Sequence, residues 1–377
     1  MKTGDFSPGL KEIKVKIGGR TIGTLAVSSS GKTAFSYSNE WLETGFSISP
    51  FSLPLERGVM MAKNNYFQGL IGIFADSLPD AWGRLLVDRI IKKYEIKGEI
   101  TVIDRLALVG CSGMGALEYE PDYHIIDADE EKDLDFLSKQ CQKILKTEYS
   151  EKLDFLYKLG GCSGGARPKI LTEYDNKDWI IKFPAHVDSH DSGLIEYRYS
   201  KCAEKCGIVM PETKLFSSEQ CSGYFGIVRF DRKNGKKIHM ATAAALLEAD
   251  FNSPCLDYHS LMKLTRILTG ENREDIENMF RRACFNVFAH NMDDHAKNFS
   301  FLYDEESDLW RLSPAYDLTY SSTWFGEHTT SVDGNGKDPG DKELLNVGIK
   351  AGMSRVQCLN IISEIKEKVS ELADIYV

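Results

Sequence analysis

The sequence predicts an α+β, bilobal chain, with strands gathered in its first two thirds and helices in its last third. Three observations carry this. Residues 12 to 37 read as strands, opening on the alternation of Ile13, Val15 and Ile17, a second strand-rich stretch runs from 169 to 230, and beyond 240 the apolar residues recur at helical spacing. With 377 residues, 42% of them hydrophobic, two lobes with sizeable cores are affordable.

In order along the chain, Ile13, Val15 and Ile17 form an alternating strand, Gly18-Gly19 supplies a turn, and Ile22 to Val27 returns. Residues 67 to 97, around "FADSLPDAWGRLLVDRIIKKY", read as helical, with Pro79 near a helix start and Asp76 or Ser77 as its cap. "GCSGMGALEYEPD" (110 to 122) is a Gly-rich return to extended chain, and the acidic residues 127 to 157 read as a helical connector. From 158 the pattern changes. "LGGCSGGARPK" is a loop, and "KILTEY" and "WIIKFP" are strands joined at Asp175-Asn176. Residues 192 to 206 are helical, with Ile195, Tyr199, Cys202 and Cys206 on one side, and "YFGIVRF" is a further strand. Ile276, Met279, Phe280, Ala283 and Val287 mark a buried helix over 273 to 290. Leu359, Ile362, Ile365, Val369 and Leu372 mark the last helix, over about 354 to 375. The expected division is a β-rich N-terminal subdomain (10–122), a helical connector (123–157), a small lobe (158–236) and a helical lobe (237–377).

The net charge of −10 argues against a nucleic-acid-binding surface on this chain, because phosphate contacts need clustered Lys and Arg. Nine cysteines, an odd number without a CxxC pair, fit reduced thiols in a cytoplasmic protein. The N-terminal stretch lacks the apolar core of a signal peptide, and no apolar run approaches the length of a membrane span.

The chemistry concentrates in "NMDDHAKNFSF" (291 to 301). Asp293 and Asn298 stand in a D-x-x-x-x-N spacing between a buried helix and a strand. Protein kinases use that spacing so that one short loop sends Asp to the substrate hydroxyl and Asn to a magnesium ion. A hairpin, "FSFLYDEESDLWRL", then leads to "SPAYDLTYS", placing Asp317 as a second candidate metal ligand. Upstream, Lys182 ends the strand "WIIK", Glu196 on the next helix could hold it as an ion pair, and the loop 160 to 165 offers backbone N–H groups to phosphates. Five elements in this order predict a protein-kinase-like fold. Singly, each has a plainer reading: a linker, a strand-end lysine, a solvated helix face, an Asx turn. Two alternatives stand beside the kinase. One is a metal-dependent phosphohydrolase built on His290, Asp293, Asp294 and His295. The other is a non-catalytic kinase-like binding module.

Together these segments resemble the HipA family of serine/threonine kinases, toxins of bacterial toxin–antitoxin pairs. The resemblance runs over nearly the whole chain. "VKIGGRTIGTLA", "FSISPFSLPL", "FADSLPDAWGR" and "GMGALEYEP" are similar to the family's N-terminal subdomain. "GGARPK", "WIIKFP", "VRFDR", "DDHAKNFSF" and "SPAYDL" are similar to its kinase core. The resemblance implies ATP and Mg2+, with Asp293 as catalytic base and Asn298 and Asp317 as magnesium ligands. It implies Lys182 on the ATP phosphates and Gly164, Ala166, Arg167, Pro168 and Lys169, with Gly165, as the phosphate-side loop. Val228, Arg229 and Phe230 become the hinge beside adenine, mainly through backbone groups. His295, Ala296 and Lys297 fall in the nucleotide-binding segment, and Tyr316 beside Asp317. Asp294 stands where some members have Gly. Family members can be silenced by phosphorylation of a loop serine. Counting back from Lys169, that position holds Cys162, with Ser163 one residue later, so either Ser163 serves or the switch is absent. A small helix-turn-helix antitoxin (HipB-like) is the implied partner, with DNA reached only through it. A protein substrate, such as an aminoacyl-tRNA synthetase, is implied as acceptor.

Overall fold

The computed structural model describes residues 6–123, 131–161, 164–250, 256–323 and 326–375. It is a mixed α and β chain that divides into two compact units. The first comprises Met1–Gly193 and Leu215–Ala241, and the second Leu194–Lys214 and Thr242–Val377.

In the first unit β1 (Glu12–Ile17), β2 (Arg20–Val27), β3 (Thr33–Tyr37), β4 (Met60–Met61) and β5 (Leu117–Glu120) form one sheet, in the order β4-β3-β2-β1-β5. The β1–β2 turn uses Gly18 and Gly19 at φ +53° and +78°, the left-handed region a tight hairpin demands. Ile13, Val15 and Ile17 point to one buried face, as their alternation predicts. After the short helix α1 (Asn39–Thr44) the stretch read as one helix over 67 to 97 divides into α2 (Gly72–Ala75) and α3 (Ala81–Lys93). The N-cap of α3 is Asp80, not Asp76 or Ser77. Pro79 steers the residue before it away from the helical region, so the helix begins only after the proline. Ser77 is buried, and its hydroxyl accepts from the Tyr119 hydroxyl at 2.7 Å.

Sequence reading missed α4 (Val102–Val109), although Thr101 and Asp104 close a full capping box at its start. α5 (Leu134–Leu145) and α6 (Leu153–Gly160) lie in the stretch read as a connector. They place Leu137, Cys141, Ile144, Phe155 and Leu156 in one core with Trp82, Leu86 and Ile90 of α3. The same core takes Ile170 of β6 (Lys169–Tyr174) and Trp179 and Ile181 of β7 (Lys177–Lys182). Asp175 and Asn176 join β6 to β7 at φ +50° and +58°, the type I′ geometry that Asx residues tolerate best after glycine. With β8 (Thr213–Phe216), whose last two residues fall in this unit, and β9 (Tyr224–Val228), these strands form a sheet in the order β6-β7-β9-β8. A small hairpin of β10 (Arg232–Lys233) and β11 (Lys236–Lys237) follows.

Between β9 and β10 sits a buried ionic hub. Asp231 is fully buried and accepts from Arg229 Nε (2.9 Å) and Nη2 (2.8 Å), Arg232 Nη1 (2.8 Å) and the Gly115 N–H (2.8 Å). The guanidiniums also reach the Gly113 carbonyl, so the hub ties the end of β9 to the loop before β5. Burial opposes the Asp231 charge, but the two arginines outweigh it and hold the carboxyl below the usual aspartate range. A depressed folded-state pKa adds stability that is complete above the unfolded value, about pH 4, and is lost as pH falls through the folded value. Asp231→Ala should therefore cost about 3–5 kcal/mol near neutrality, because it strands the buried Arg229 guanidinium and the part-buried one of Arg232. The gap from the native chain should narrow below about pH 4. Urea unfolding at pH 7 and at acidic pH checks both expectations.

In the second unit α7 (Ser192–Lys205) belongs from Leu194 onward, and buries Tyr199, Cys202 and Ala203. β12 (Met240–Thr242) straddles the boundary and leads into α8 (Ala243–Leu247). β13 (Leu256–Asp257) runs into α9 (Tyr258–Leu268) and then α10 (Arg273–Phe288). α10 is central: Ile276, Met279, Phe280, Ala283, Cys284, Phe285 and Val287 are all buried. β14 (Ser300–Asp304) and β15 (Leu309–Leu312) form an antiparallel hairpin, and β16 (Thr330–Ser331) pairs parallel with β13. α11 (Asp341–Lys350) and α12 (Arg355–Val369) close the unit. A Cβ at Gly348 would stand 2.4 Å from Cys358 Sγ, so only glycine lets these helices approach. On α12 Cys358, Ile361, Ile362, Ile365 and Val369 are buried, while Leu359, expected among them, is 41% exposed. Among the described residues no helix is long and apolar enough to cross a membrane.

Candidate active site

α10 is capped at Ala289, and His290 takes φ +51°, which turns the chain out of the helix. Asn291 then turns back on the helix end. Its N–H donates to the Asn286 carbonyl (2.9 Å) and its Nδ2 to Asn286 Oδ1 (2.9 Å). Asn286 Nδ2 donates to the Tyr258 hydroxyl (2.9 Å), which donates in turn to Asp294 Oδ2 (2.8 Å). Burial first, and then the Asp294 charge, push the Tyr258 phenol well above its usual range, so it stays a proton donor.

Asp294 is fully buried. Besides Tyr258 it meets His328 Nδ1 at 3.1 Å and accepts the Thr330 N–H at 3.0 Å, while its carbonyl accepts the Thr330 hydroxyl at 2.5 Å. The Met292 carbonyl accepts both the N–H and the hydroxyl of Thr329, each at 3.0 Å. The loop is thus fastened to 328–330 on one side and to α9 and α10 on the other. With Asp294 held inward, its neighbour Asp293 faces out, its side chain 60% exposed. The two adjacent carboxylates have opposite roles, one internal and one presented to solvent.

A 3₁₀ turn, Ala296–Asn298, finishes the loop. The Asn298 N–H donates to the His295 carbonyl (2.8 Å) and its Nδ2 to the carbonyl of Asp293 itself (2.8 Å). That second bond joins the two ends of the D-x-x-x-x-N pattern. His295 Nε2 lies 3.9 Å from Asp293 Oδ1, and its buried Nδ1 has no hydrogen-bond partner among the described residues. The Lys297 carbonyl accepts the Tyr316 hydroxyl at 2.6 Å, which anchors the chain just before Asp317. Asp317 takes φ +52°, a left-handed conformation that Asp tolerates better than most residues.

Asn298 and Asp317 line one recess, partly open to solvent. Tyr316, Asn291 and Arg282 line it as well. The donor set suits a hard divalent cation: a carboxylate and an amide oxygen, with the amide nitrogen turned onto the Asp293 carbonyl. Arg282 is 2% exposed, bonded through Nε to Asn278 Oδ1 (3.1 Å) and through Nη2 to the Ser313 carbonyl. Burial pulls its pKa down to about 10, so it remains cationic at neutral pH. Its Nη1 and Asn291 Oδ1 are buried without a protein partner among the described residues, a donor and an acceptor on one recess. By contrast, the structure does not assemble the hydrolase cluster. Asp294 is engaged by Tyr258, His328 and Thr330, and among the described residues no three His, Cys, Asp or Glu could hold a metal.

The remaining candidates lie in the first unit, apart from Glu196, which is buried on α7 in the second. Lys182 ends β7, with its ammonium 5.7 Å from the centroid of the Phe225 ring. In the loop two cationic side chains are engaged by other groups of the protein. Lys169 is buried and donates to the Gly164 carbonyl, and Arg167 grips Asp188 through Nε (2.9 Å) and Nη2 (3.0 Å). The Pro168 carbonyl accepts from the Phe183 N–H at 2.8 Å. Gly165 needs its glycine, at φ +83°, while Gly164 and Ala166 are exposed. Val228 ends β9 and Phe230 is half-buried, while the Arg229 side chain is engaged by Asp231. Cys162 and Ser163 lie outside the described residues.

A family model described as the HipA N-terminal domain matches residues 13–120, and one described as the HipA-like C-terminal domain matches 162–373. The chain belongs to the HipA family. α5 and α6 both fall between the two matched segments. HipA of Shewanella oneidensis MR-1, solved with HipB and its operator DNA, has the same fold. The TM-score is 0.71 at 17% identity, over 96% of this chain and 90% of that one. A protein of Sinorhizobium fredii (strain NBRC 101917 / NGR234) named putative kinase Y4dM is 27% identical over 179 residues. That match spans 44% of this HipA-family chain and 42% of its relative. Asp293, Asn298 and Asp317 all lie within the HipA-like C-terminal match, whereas α3 belongs to the N-terminal one.

Proposed function

We propose that this HipA-family chain is an ATP-dependent serine/threonine protein kinase, the toxin of a toxin–antitoxin pair. The observation that carries the reading is the loop between α10 and β14. It presents Asp293 outward, bonds Asn298 back to the Asp293 carbonyl, and sets Asn298 on one recess with Asp317. Such a loop serves phosphoryl transfer, where positioning and charge stabilisation supply most of the catalysis. Asp293 accepts the proton of a serine or threonine hydroxyl as its oxygen bonds to the γ-phosphorus, the bond to the β-phosphate oxygen breaks, and ADP leaves. Asn298 and Asp317 would hold Mg2+, which supplies charge neutralisation at the phosphates. Lys182 and the loop 164–169 take the phosphate end of ATP, and the backbone of 228–230 takes the adenine end. His295, Ala296 and Lys297 border the nucleotide. Glu196 is the candidate partner of Lys182.

The partner by this reading is a small helix-turn-helix antitoxin like the HipB solved with the Shewanella protein, and it reaches DNA in place of this acidic chain. The acceptor is a protein, and the compartment the cytoplasm. Self-modification would fall on Ser163. Phosphoamino-acid analysis after incubation with Mg-ATP and cell extract tests the reading. Phosphoserine or phosphothreonine in an acceptor protein is the expected result. ADP and free phosphate with no phosphorylated protein would overturn it.

A further inference from the structure

The N-terminal end of α3 and the phosphate-side loop hold one another through reciprocal hydrogen bonds. The Gly165 N–H donates to Asp80 Oδ2 at 2.9 Å, and the Gly165 carbonyl faces the Trp82 N–H at 3.4 Å. The Trp82 indole donates to the Lys169 carbonyl at 3.2 Å. Glycines allow this approach: a Cβ at Gly83 would lie 2.7 Å from the Gly161 carbonyl oxygen, and one at Gly160 would lie 2.5 Å from the Lys169 oxygen.

Asp80 is the N-cap of α3, where an aspartate ordinarily accepts an N–H of its own first turn. Here it makes no such bond. Its carboxylate reaches across to a glycine 85 residues away. A helix that gives up a side-chain cap, and a loop glycine bonded through both backbone groups, make a clasp on the loop. The Lys169 ammonium on the Gly164 carbonyl braces the loop from within.

We propose that Asp80, in the segment matching the HipA N-terminal domain, is a positioning residue for the ATP phosphates, acting by holding Gly165 and the loop around it. The proposal rests on the kinase reading above for its link to ATP, while the clasp is a property of the fold. Asp80 touches no reacting atom; it fixes the backbone on which loop N–H groups meet the phosphates. The loop is pre-ordered by the N-terminal domain, which lowers the ordering cost of binding nucleotide.

The test compares Asp80→Ala with Asp80→Asn in the full chain. Asparagine keeps an oxygen that accepts the Gly165 N–H; alanine does not. In Asp80→Ala the amides of 164–167 and 169 should exchange hydrogen about tenfold faster, the factor for losing one charge-assisted hydrogen bond of ordinary net strength. The KM for ATP should rise about tenfold with kcat within about twofold, as for a residue that acts on binding alone. Asp80→Asn should return both to within about threefold of the native chain. Unchanged loop exchange in Asp80→Ala would overturn the clasp. So would an Asp80→Asn chain as impaired as the alanine variant. If the native chain turns over no ATP, the kinase reading fails, and the exchange rates alone still decide whether Asp80 holds the loop.

Discussion

Asp293→Asn should lower phosphoryl transfer by about 10²–10⁴-fold while ATP affinity stays close to native. The side chain is exposed, so the change disturbs no core. Asparagine keeps the shape and removes the acceptor for the hydroxyl proton. The bond from Asn298 Nδ2 goes to the Asp293 backbone carbonyl and survives the substitution. The Asn298–Asp317 recess should therefore still take metal and nucleotide. Asp317→Ala should do the converse, weakening Mg-ATP binding through loss of a hard ligand. Nucleotide titration of both variants separates base from ligand, and equal loss of ATP affinity in both would contradict the assignment.

The second large effect belongs to the neighbouring residue. Asp294→Ala should destabilise the second unit by on the order of 3–5 kcal/mol, because it removes a charged acceptor from buried donors. Tyr258, His328 and the Thr330 N–H all lose that partner. Transfer activity should fall with stability, since the loop carrying Asp293 hangs from these bonds. Thermal melts beside activity measurements tell the two carboxylates apart. Asp293→Asn loses activity at native stability, and Asp294→Ala loses both. An Asp294→Ala chain that melts like the native one would show that the buried network does not support the loop.

Much of this site was legible because its pattern is local. The D-x-x-x-x-N spacing singles out Asp293 over Asp294, and the structure turns the first outward and buries the second. The Gly18-Gly19 and Asp175-Asn176 turns were legible for the same reason: a two-residue hairpin demands left-handed backbone that few residues supply. Contacts distant in sequence were not legible. Nothing near Asp294 announces His328 or Thr330, and nothing near Arg282 announces that it lines the recess with Asp317. α4 was missed because a short, nearly continuous apolar run does not distinguish a helix from a buried strand; its Thr101–Asp104 capping box was the available signal. The cap of α3 was misplaced because Pro79 sets the start of the helix, whereas Asp80 accepts from a loop glycine that no local rule predicts.

The most direct test of the kinase account is intact-mass spectrometry of the chain and of candidate acceptor proteins after incubation with Mg-ATP, beside the Asp293→Asn variant. The account predicts a phosphoryl mass increment on an acceptor protein with the native chain and none with the variant. An identical increment with both, or ATP consumed with no protein gaining mass, would contradict it.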